Sequence, residues 1–447
     1  MSLESNVLAE HSVPRYTSYP TAPHFKPEVG AEVYAAWLGE LPPAGALSLY
    51  LHVPFCVELC LYCGCHTKAV QRREPVDAYA DNVMREISLL AGLLGRRKVS
   101  HLHWGGGTPS ILDSAKLTEI VRRLDDAFDL SGRREHAIEL DPRYVTRPLV
   151  RTLASIGVNR ASLGVQDFAP HVQQAIGRIQ PYEMVANAIE TLRGFGIDEI
   201  NVDLMYGLPR QTTQDVRQNV ALAASLSADR IALFGYAHVP WFRPQQRLIE
   251  AAALPGPGAR LEQTEAAREA LVSFGYEAVG FDHFALPYDD LAVAARTGRL
   301  RRNFQGYTTD DADALIGLGA SAIGRLPQGI VQNAPDVGGY ARAIAAGRPA
   351  TARGVALSPD DRLRGRVIER LMCDLEADVA AIAAECGSDE RFTAEFLALR
   401  PFASEGLVAV QGARISLSEK GRPFVRLIAS VFDSYLQQGR QRHSVAV

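Results

Sequence analysis

Between residues 47 and 239, six runs of apolar and β-branched residues alternate with helix-length amphipathic segments, and this alternation narrows the fold more than any other feature. The runs are LSLYLHV (47–53), VSHLHWGG (99–106), HAIELDP (136–142), RASLGVQ (160–166), EINVDLMYG (199–207) and RIALFGYAHV (230–239). Segments 76–95, 114–128 and 212–227 carry helical patterning between them. Repeated strand–helix units require parallel strands with helical crossovers, so the pattern predicts an α/β fold whose sheet is closed, or nearly closed, into a barrel. Ligands of such sheets bind at the carboxyl ends of the strands. Here those ends carry a cysteine-rich loop, GGGTPS, Glu139, Gln166, Asp203 and Ala237, which one pocket would gather.

The 447 residues exceed one minimal domain and suit a large barrel with a smaller module. A Pro/Gly loop at 251–261 precedes a helix near 262–274 and the apolar stretch YEAVGFDHFA (276–285). Composition breaks again near 348–360; beyond it 361–386 reads as helical and LVAVQGARISLS (407–418) as a hairpin. The division expected is an N-terminal arm (1–46), a barrel with a C-terminal extension (47–350) and a small, mostly helical, winged-helix-like module (351–447).

An apolar content of 47% describes an ordinary core, and a net charge of -4 supplies no overall attraction to nucleic acid. No run reaches the roughly 18 apolar residues of a membrane span. The first twenty residues lack a secretory core, so a cytoplasmic monomer is the expectation.

Four of six cysteines, Cys56, Cys60, Cys63 and Cys65, fall within FCVELCLYCGCH, directly after the first strand. Disulfide scaffolds belong to small secreted domains, so a metal or redox role is the better reading here. The spacing lacks the two separated pairs of a zinc ribbon, and four neighbouring thiols are redundant for a single nucleophile. Cys373 and Cys386 read as small core residues. Three thiolates on one loop can hold a four-iron cube and leave one iron open to substrate. The spacing C-x3-C-x2-C resembles the radical S-adenosylmethionine superfamily, in which the methionine moiety chelates that iron. HWGGGTPS (103–110), one strand later, is similar to the superfamily's Gly-rich segment, whose glycines let a ligand approach the backbone.

The resemblance narrows further. PRYTSYPTA (14–22), SLYLHVPFCVELCLYCGCH (48–66), HWGGGTPS, IELDPR (138–143), GVQDF (164–168), NVDLMYGLP (201–209), YAHVP (236–240), DHFA (282–285) and RNFQGYTT (302–309) together resemble the oxygen-independent coproporphyrinogen III oxidase (dehydrogenase) family. That resemblance implies a partial (β/α)6 radical-SAM barrel holding a 4Fe–4S cluster and two S-adenosylmethionine molecules. It implies Cys56, Cys60 and Cys63 as iron ligands, with Cys65, Phe304 and Gln305 on the substrate side as catalytic residues. Tyr50, Gly106, Glu139 and Ile323 would surround the first S-adenosylmethionine; Tyr62, Gly107, Thr108, Gln166, Arg178, Asp203 and Ala237 would surround the second. Tyr62 stands where the family often has Phe, and the N-terminal arm is shorter than the family's.

The implied reaction converts two propionates of coproporphyrinogen III to vinyl groups, giving protoporphyrinogen IX for haem biosynthesis. The implied partners are an electron donor such as flavodoxin or ferredoxin and an unnamed electron acceptor. A tetra-anionic substrate requires cations, for which Arg15, Arg302, Lys420, Arg422 and Arg426 are candidates. The planar fork of Arg178 can pair with a carboxylate. His238 and His283 have no assigned role. Two other readings compete: a related haem chaperone that binds without turnover, and a regulator whose winged-helix-like module reads DNA. PRYTSYPTA, RNFQGYTT and Cys65 weigh against the first, and overall acidity weighs against the second.

Overall fold

The computed structural model describes Leu8 and residues 11–436. The start of the expected arm and the end of the expected C-terminal module lie outside the described residues. The six anticipated strands are β1 (Leu47–Val53), β2 (Val99–Gly106), β3 (Glu135–Leu140), β4 (Arg160–Gln166), β5 (Glu199–Tyr206) and β6 (Arg230–Gly235). All pair in parallel in chain order. Helices Glu74–Leu94, Ser114–Ala127 and Thr213–Ser225 occupy the predicted crossover segments. β3 stops two residues earlier than the apolar run, because Asp141 turns back to accept the Arg143 N–H and caps a 3-10 turn. β6 also stops early, at Gly235, which places Ala237 in a loop.

The sheet extends past both ends of the predicted array. At one end β6 pairs antiparallel with β8 (His283–Ala285), which pairs with β7 (Glu277–Val279). At the other, β9 (Ala314–Leu318) adds a seventh parallel strand beside β1. Antiparallel β10 (Ile323–Leu326), β11 (Gly329–Asn333) and β12 (Thr351–Ala356) follow it. The order β12-β11-β10-β9-β1-β2-β3-β4-β5-β6-β8-β7 does not return on itself, so the barrel is partial. These added strands have three to six residues, too short for their periodicity to be read in isolation. Because β12 bonds to β11, the chain leaves the main sheet after Ala356, a few residues beyond the expected boundary at 351.

The small module runs helix Pro359–Asp374, strand Glu376–Asp378, helix Val379–Glu385, two short helices and the hairpin Val408–Gln411/Arg414–Leu417, the order of a winged helix. The N-terminal arm is divided between two cores. Val13, Tyr16 and Tyr19 pack with the small module, whereas Val29, Tyr34, Trp37 and Leu38 pack on the barrel. The arm therefore straps the module to the barrel through apolar burial at both ends. Cys373 is a core residue as expected; Cys386 is exposed, because it lies at the end of a short surface helix. No helix among the described residues is long and apolar enough to cross a membrane.

Candidate active site

A cavity of about 600 Å³ opens at the carboxyl ends of the parallel strands. Strand alternation builds it: Ala137 and Glu139 of β3, Ser162 of β4, and Asn201, Asp203 and Met205 of β5 are same-face residues lining its wall. Below them Glu135 faces Arg160 at 2.8 Å and Arg230 at 3.8 Å, while Asp289 takes Arg230 Nε at 2.7 Å, so an ion network closes the floor. Gln166, at φ +70°, sits where the β4–β5 register slips, and the slip turns its side chain into the cavity. Tyr62, Cys65, Ala237 and Gln305 complete the lining.

Two of the wall's carboxylates, Glu139 and Asp203, are unlike. Glu139 accepts the Gly106 N–H at 3.1 Å and faces His103 Nε2 at 3.3 Å. Burial alone would raise its pKa, but His103 and that N–H hold the carboxyl below the ordinary range. Asp203 accepts from Asn201 at 2.8 Å and Ser162 at 3.1 Å, yet burial and the nearby Glu139 charge push it up to about 6. His103 was not singled out from the sequence, although its placement two residues from His101 on one strand face was a readable signal.

The cysteine loop descends beside this wall. Cys56 Sγ receives the Thr108 hydroxyl at 3.5 Å and lies 3.2 Å from Thr67 Oγ1. Arg178 Nη1 donates to Cys60 Sγ at 3.3 Å, and the Cys65 N–H donates to Cys63 Sγ at 3.4 Å. Hydrogen bonding from Cys65 draws Cys63 down to about 7, whereas burial raises Cys56. Cys65, bonded to Cys63 and ringed by protein, is raised while its thiol stays open to the cavity. Three soft ligands supplied with hydrogen-bond donors and a neighbouring cation fit a sulfur-ligated iron cluster. Among the described residues no three His, Cys, Asp or Glu side chains converge as one metal ion requires, but a four-iron cube is wider than an ion.

Several expected site residues stand behind the cavity wall instead of on it. A Cβ on Gly105 would meet Glu139 Oε1 at 2.7 Å; on Gly106, at φ +111°, it would meet the His52 ring at 2.5 Å. On Gly107 it would meet the Phe55 carbonyl oxygen at 2.4 Å. The triplet is glycine because the cysteine loop and the protein's own side chains crowd it, a constraint additional to any ligand. Tyr50 and Thr108 lie in the same layer: Tyr50 OH meets His52 Nδ1 at 3.1 Å, and Thr108 serves Cys56. The fork of Arg178 is engaged within the protein, by Cys60 Sγ, Asp141 at 3.1 Å and the Gly164 carbonyl at 2.6 Å, so it braces the loop. Ile323 opens β10, its carbonyl beside Gly317, the register partner of Tyr50. His283 is bound by Asp282 at 2.7 Å, and His238 by the Tyr236 hydroxyl at 3.0 Å.

A second cavity of about 380 Å³ adjoins the first and shares Arg15, Cys65, Phe234, Tyr236 and Gln305 with it. Phe304, Arg302, Arg422 and Arg426 line it, but Lys420 does not: its ammonium caps the Glu405 carbonyl at 2.9 Å on the surface. Arg260 and Arg268 also line it. Neither carried a readable signal, because both sit in an amphipathic helix, Pro257–Ser273, where arginines read as solvated.

A parallel partial barrel with a three-cysteine loop at its strand ends defines the radical SAM class, and residues 50–223 match the Radical SAM superfamily while residues 357–424 match the HemN C-terminal domain. Two proteins named oxygen-independent coproporphyrinogen III oxidase are 49% identical over 98% of both chains (Bradyrhizobium diazoefficiens) and 45% identical over 100% of this chain and 99% of the other (Paracoccus denitrificans). The solved coproporphyrinogen III oxidase (HemN) from Escherichia coli, described as a radical SAM enzyme, superposes with a TM-score of 0.89 at 37% identity, covering 95% of this chain and 100% of that one. The chain belongs to the oxygen-independent coproporphyrinogen III oxidase family.

Proposed function

We propose that this enzyme converts two propionate side chains of coproporphyrinogen III to vinyl groups without oxygen, giving protoporphyrinogen IX. The observation that carries the reading is the cysteine loop opening onto an acid-walled cavity in a chain that matches coproporphyrinogen III oxidases over its length. Cys56, Cys60 and Cys63 would hold a 4Fe–4S cluster. When bound, the cluster and S-adenosylmethionine supply a 5′-deoxyadenosyl radical able to take a hydrogen atom from an unactivated carbon. Each propionate then gives up one hydrogen atom, carbon dioxide and one electron, the electron passing to an external acceptor.

The chain's own part is placement and exclusion of water. Glu139 and Asp203 present negative charge to a cationic donor. Gln166, Tyr62 and Ala237 shape the walls, while Tyr50, Gly106, Gly107, Thr108, Arg178 and Ile323 hold the layer behind them. The cavity beside the loop would take the S-adenosylmethionine, two molecules in this reading, and Cys65 and Gln305, where the two cavities meet, with Phe304 in the smaller one, are the substrate-side residues. We assign a cytoplasmic monomer reduced by a flavodoxin or ferredoxin.

The test is anaerobic reconstitution with iron and sulfide, then incubation with reductant, S-adenosylmethionine, coproporphyrinogen III and cell extract. The expected result is a brown protein yielding vinyl product and 5′-deoxyadenosine. Replacement of Cys56, Cys60 and Cys63 by Ala should abolish colour and turnover. Activity surviving that replacement, or tight haem binding with no turnover, would overturn the reading.

A further inference from the structure

The wall between the two cavities contains an acid–imidazole pair that has no part in the chemistry described above. Asp282 lines the smaller cavity and His283, the next residue, lines the larger. They are 7% and 8% exposed, and Asp282 Oδ1 lies 2.7 Å from His283 Nδ1. Burial alone would raise Asp282, but His283, Arg302 and Arg15 hold its carboxyl below the ordinary range, so it stands ionised. A carboxylate offers no hydrogen. In the neutral ring the proton therefore sits on Nδ1, and Nε2 carries the lone pair.

The ring is fixed in that orientation. Phe234 and Tyr307 meet it edge-to-face, with centroids 5.6 and 5.2 Å away and planes inclined by 81° and 88°. Tyr307 is itself pinned, its hydroxyl donating to the Met372 carbonyl. Among the described residues Nε2 has no hydrogen-bond partner. Its edge of the ring faces the substrate-side turn: a Cβ on Gly306, at φ +120°, would stand 3.4 Å from both Cε1 and Nε2. Gln305, just before that glycine, lines both cavities. Across the sheet His283 and Asp203 both pair with Ala232, so the three form one row over β8, β6 and β5 in which only a methyl stands between imidazole and acid. A carboxylate arm has no hydrogen to offer Nε2 and would meet Asp282 behind the ring and Asp203 beyond the methyl. An uncharged N–H carried on an apolar ring fits, because the aromatic side chains take the ring and Nε2 takes the hydrogen.

We infer that His283, oriented by Asp282, recognises the core of the substrate: Nε2 accepts a pyrrole N–H of the tetrapyrrole where the two cavities meet. This makes His283 a specificity residue for the reduced ring. A porphyrinogen carries an N–H on every pyrrole, whereas half the ring nitrogens of the oxidised porphyrin carry none, so a fixed acceptor favours the former. Asp282 is the positioning residue, because it determines which ring nitrogen holds the proton. The inference rests on the reading of the chain as a coproporphyrinogen oxidase.

The test is anaerobic calorimetry of the full chain with coproporphyrinogen III and coproporphyrin III, which share their carboxylates and differ in their N–H groups. Wild-type protein should prefer the porphyrinogen. His283→Phe, which keeps a ring but removes the acceptor, should weaken the porphyrinogen about 10-fold and leave the porphyrin within about twofold. His283→Gln, whose amide oxygen can accept, should restore part of the loss. Asp282→Asn lets an amide donate to Nδ1, moves the ring proton to Nε2 and should match His283→Phe with the imidazole still present. If His283→Phe loses its melting transition, Asp282→Asn alone decides. S-adenosylmethionine affinity of the reconstituted enzyme should be unchanged in all three. A wild type without the preference, variants that keep it, or a loss of S-adenosylmethionine affinity instead would overturn the assignment. In any of these cases a wild type that still made vinyl product would leave the functional reading standing. A wild type that neither bound nor converted coproporphyrinogen would take both down.

Discussion

The two adjoining cavities differ in where their charged groups come from. The larger carries the strand-borne acids Glu135, Glu139 and Asp203 beside Arg160 and Arg230; the smaller carries Arg15, Arg260, Arg302 and Arg426 beside Glu265, Asp282 and Glu419. The fold brings these two sets of charged groups together by different routes. The acids come from same-face positions of the parallel strands β3 and β5, so strand alternation aims them inward. The arginines come from residues 15, 260, 302 and 426, far apart in sequence, and meet only because the arm and the small module close over β6. One cavity is a property of the sheet, the other of the assembly.

That contrast can be tested from the acid side. The largest effect is expected for Glu139→Gln, which removes a cavity-facing charge holding both the Gly106 N–H and His103. S-adenosylmethionine affinity, followed by calorimetry on the reconstituted enzyme, should fall about 10- to 100-fold with coproporphyrin binding little changed. An equal loss of both ligands would erase the division between the cavities.

A smaller effect is expected with pH. Asp203 has a folded pKa of about 6, above its ordinary value of 3.8, so the free protein binds that proton more tightly than the unfolded chain does. Its contribution to stability is present at low pH and is lost as pH rises through 6. Attraction for a cation has the opposite trend: it requires the carboxylate and should weaken severalfold as pH drops from 7.5 to 5.5. Asp203→Asn should flatten that profile, and a profile unaltered by the substitution would remove Asp203 from the cationic site.

The smallest effect is expected for Tyr62→Phe, a nearly volume-conserving change on the cavity wall. Turnover should stay within about twofold. A larger loss would assign the hydroxyl a direct role and make this wall less purely a matter of shape.

How much was legible in advance follows the same division. The six parallel strands, their crossover helices and the inward parity of Glu139, Gln166 and Asp203 were readable, because a period of two and a cysteine spacing are local properties. The strands flanking β1 and β6 were not, since runs of three to six residues carry no period of their own. The reading of GGGTPS as a bare ligand cradle was incomplete: His52, Glu139 and the Phe55 carbonyl, distant in sequence, crowd those glycines. Arg178 read as a fork able to pair with a carboxylate, and folding supplied Asp141 as that carboxylate and Cys60 as a second partner.

By itself, then, the sequence determined the α/β class, the cysteine loop and its family, since each depends on residues close enough along the chain to act together. Tertiary structure alone decided which arginines stand together, which acids are already neutralised and that the arm belongs to two cores. Charge balance in a buried site is a sum over all neighbours in space, and no segment of the chain contains that sum.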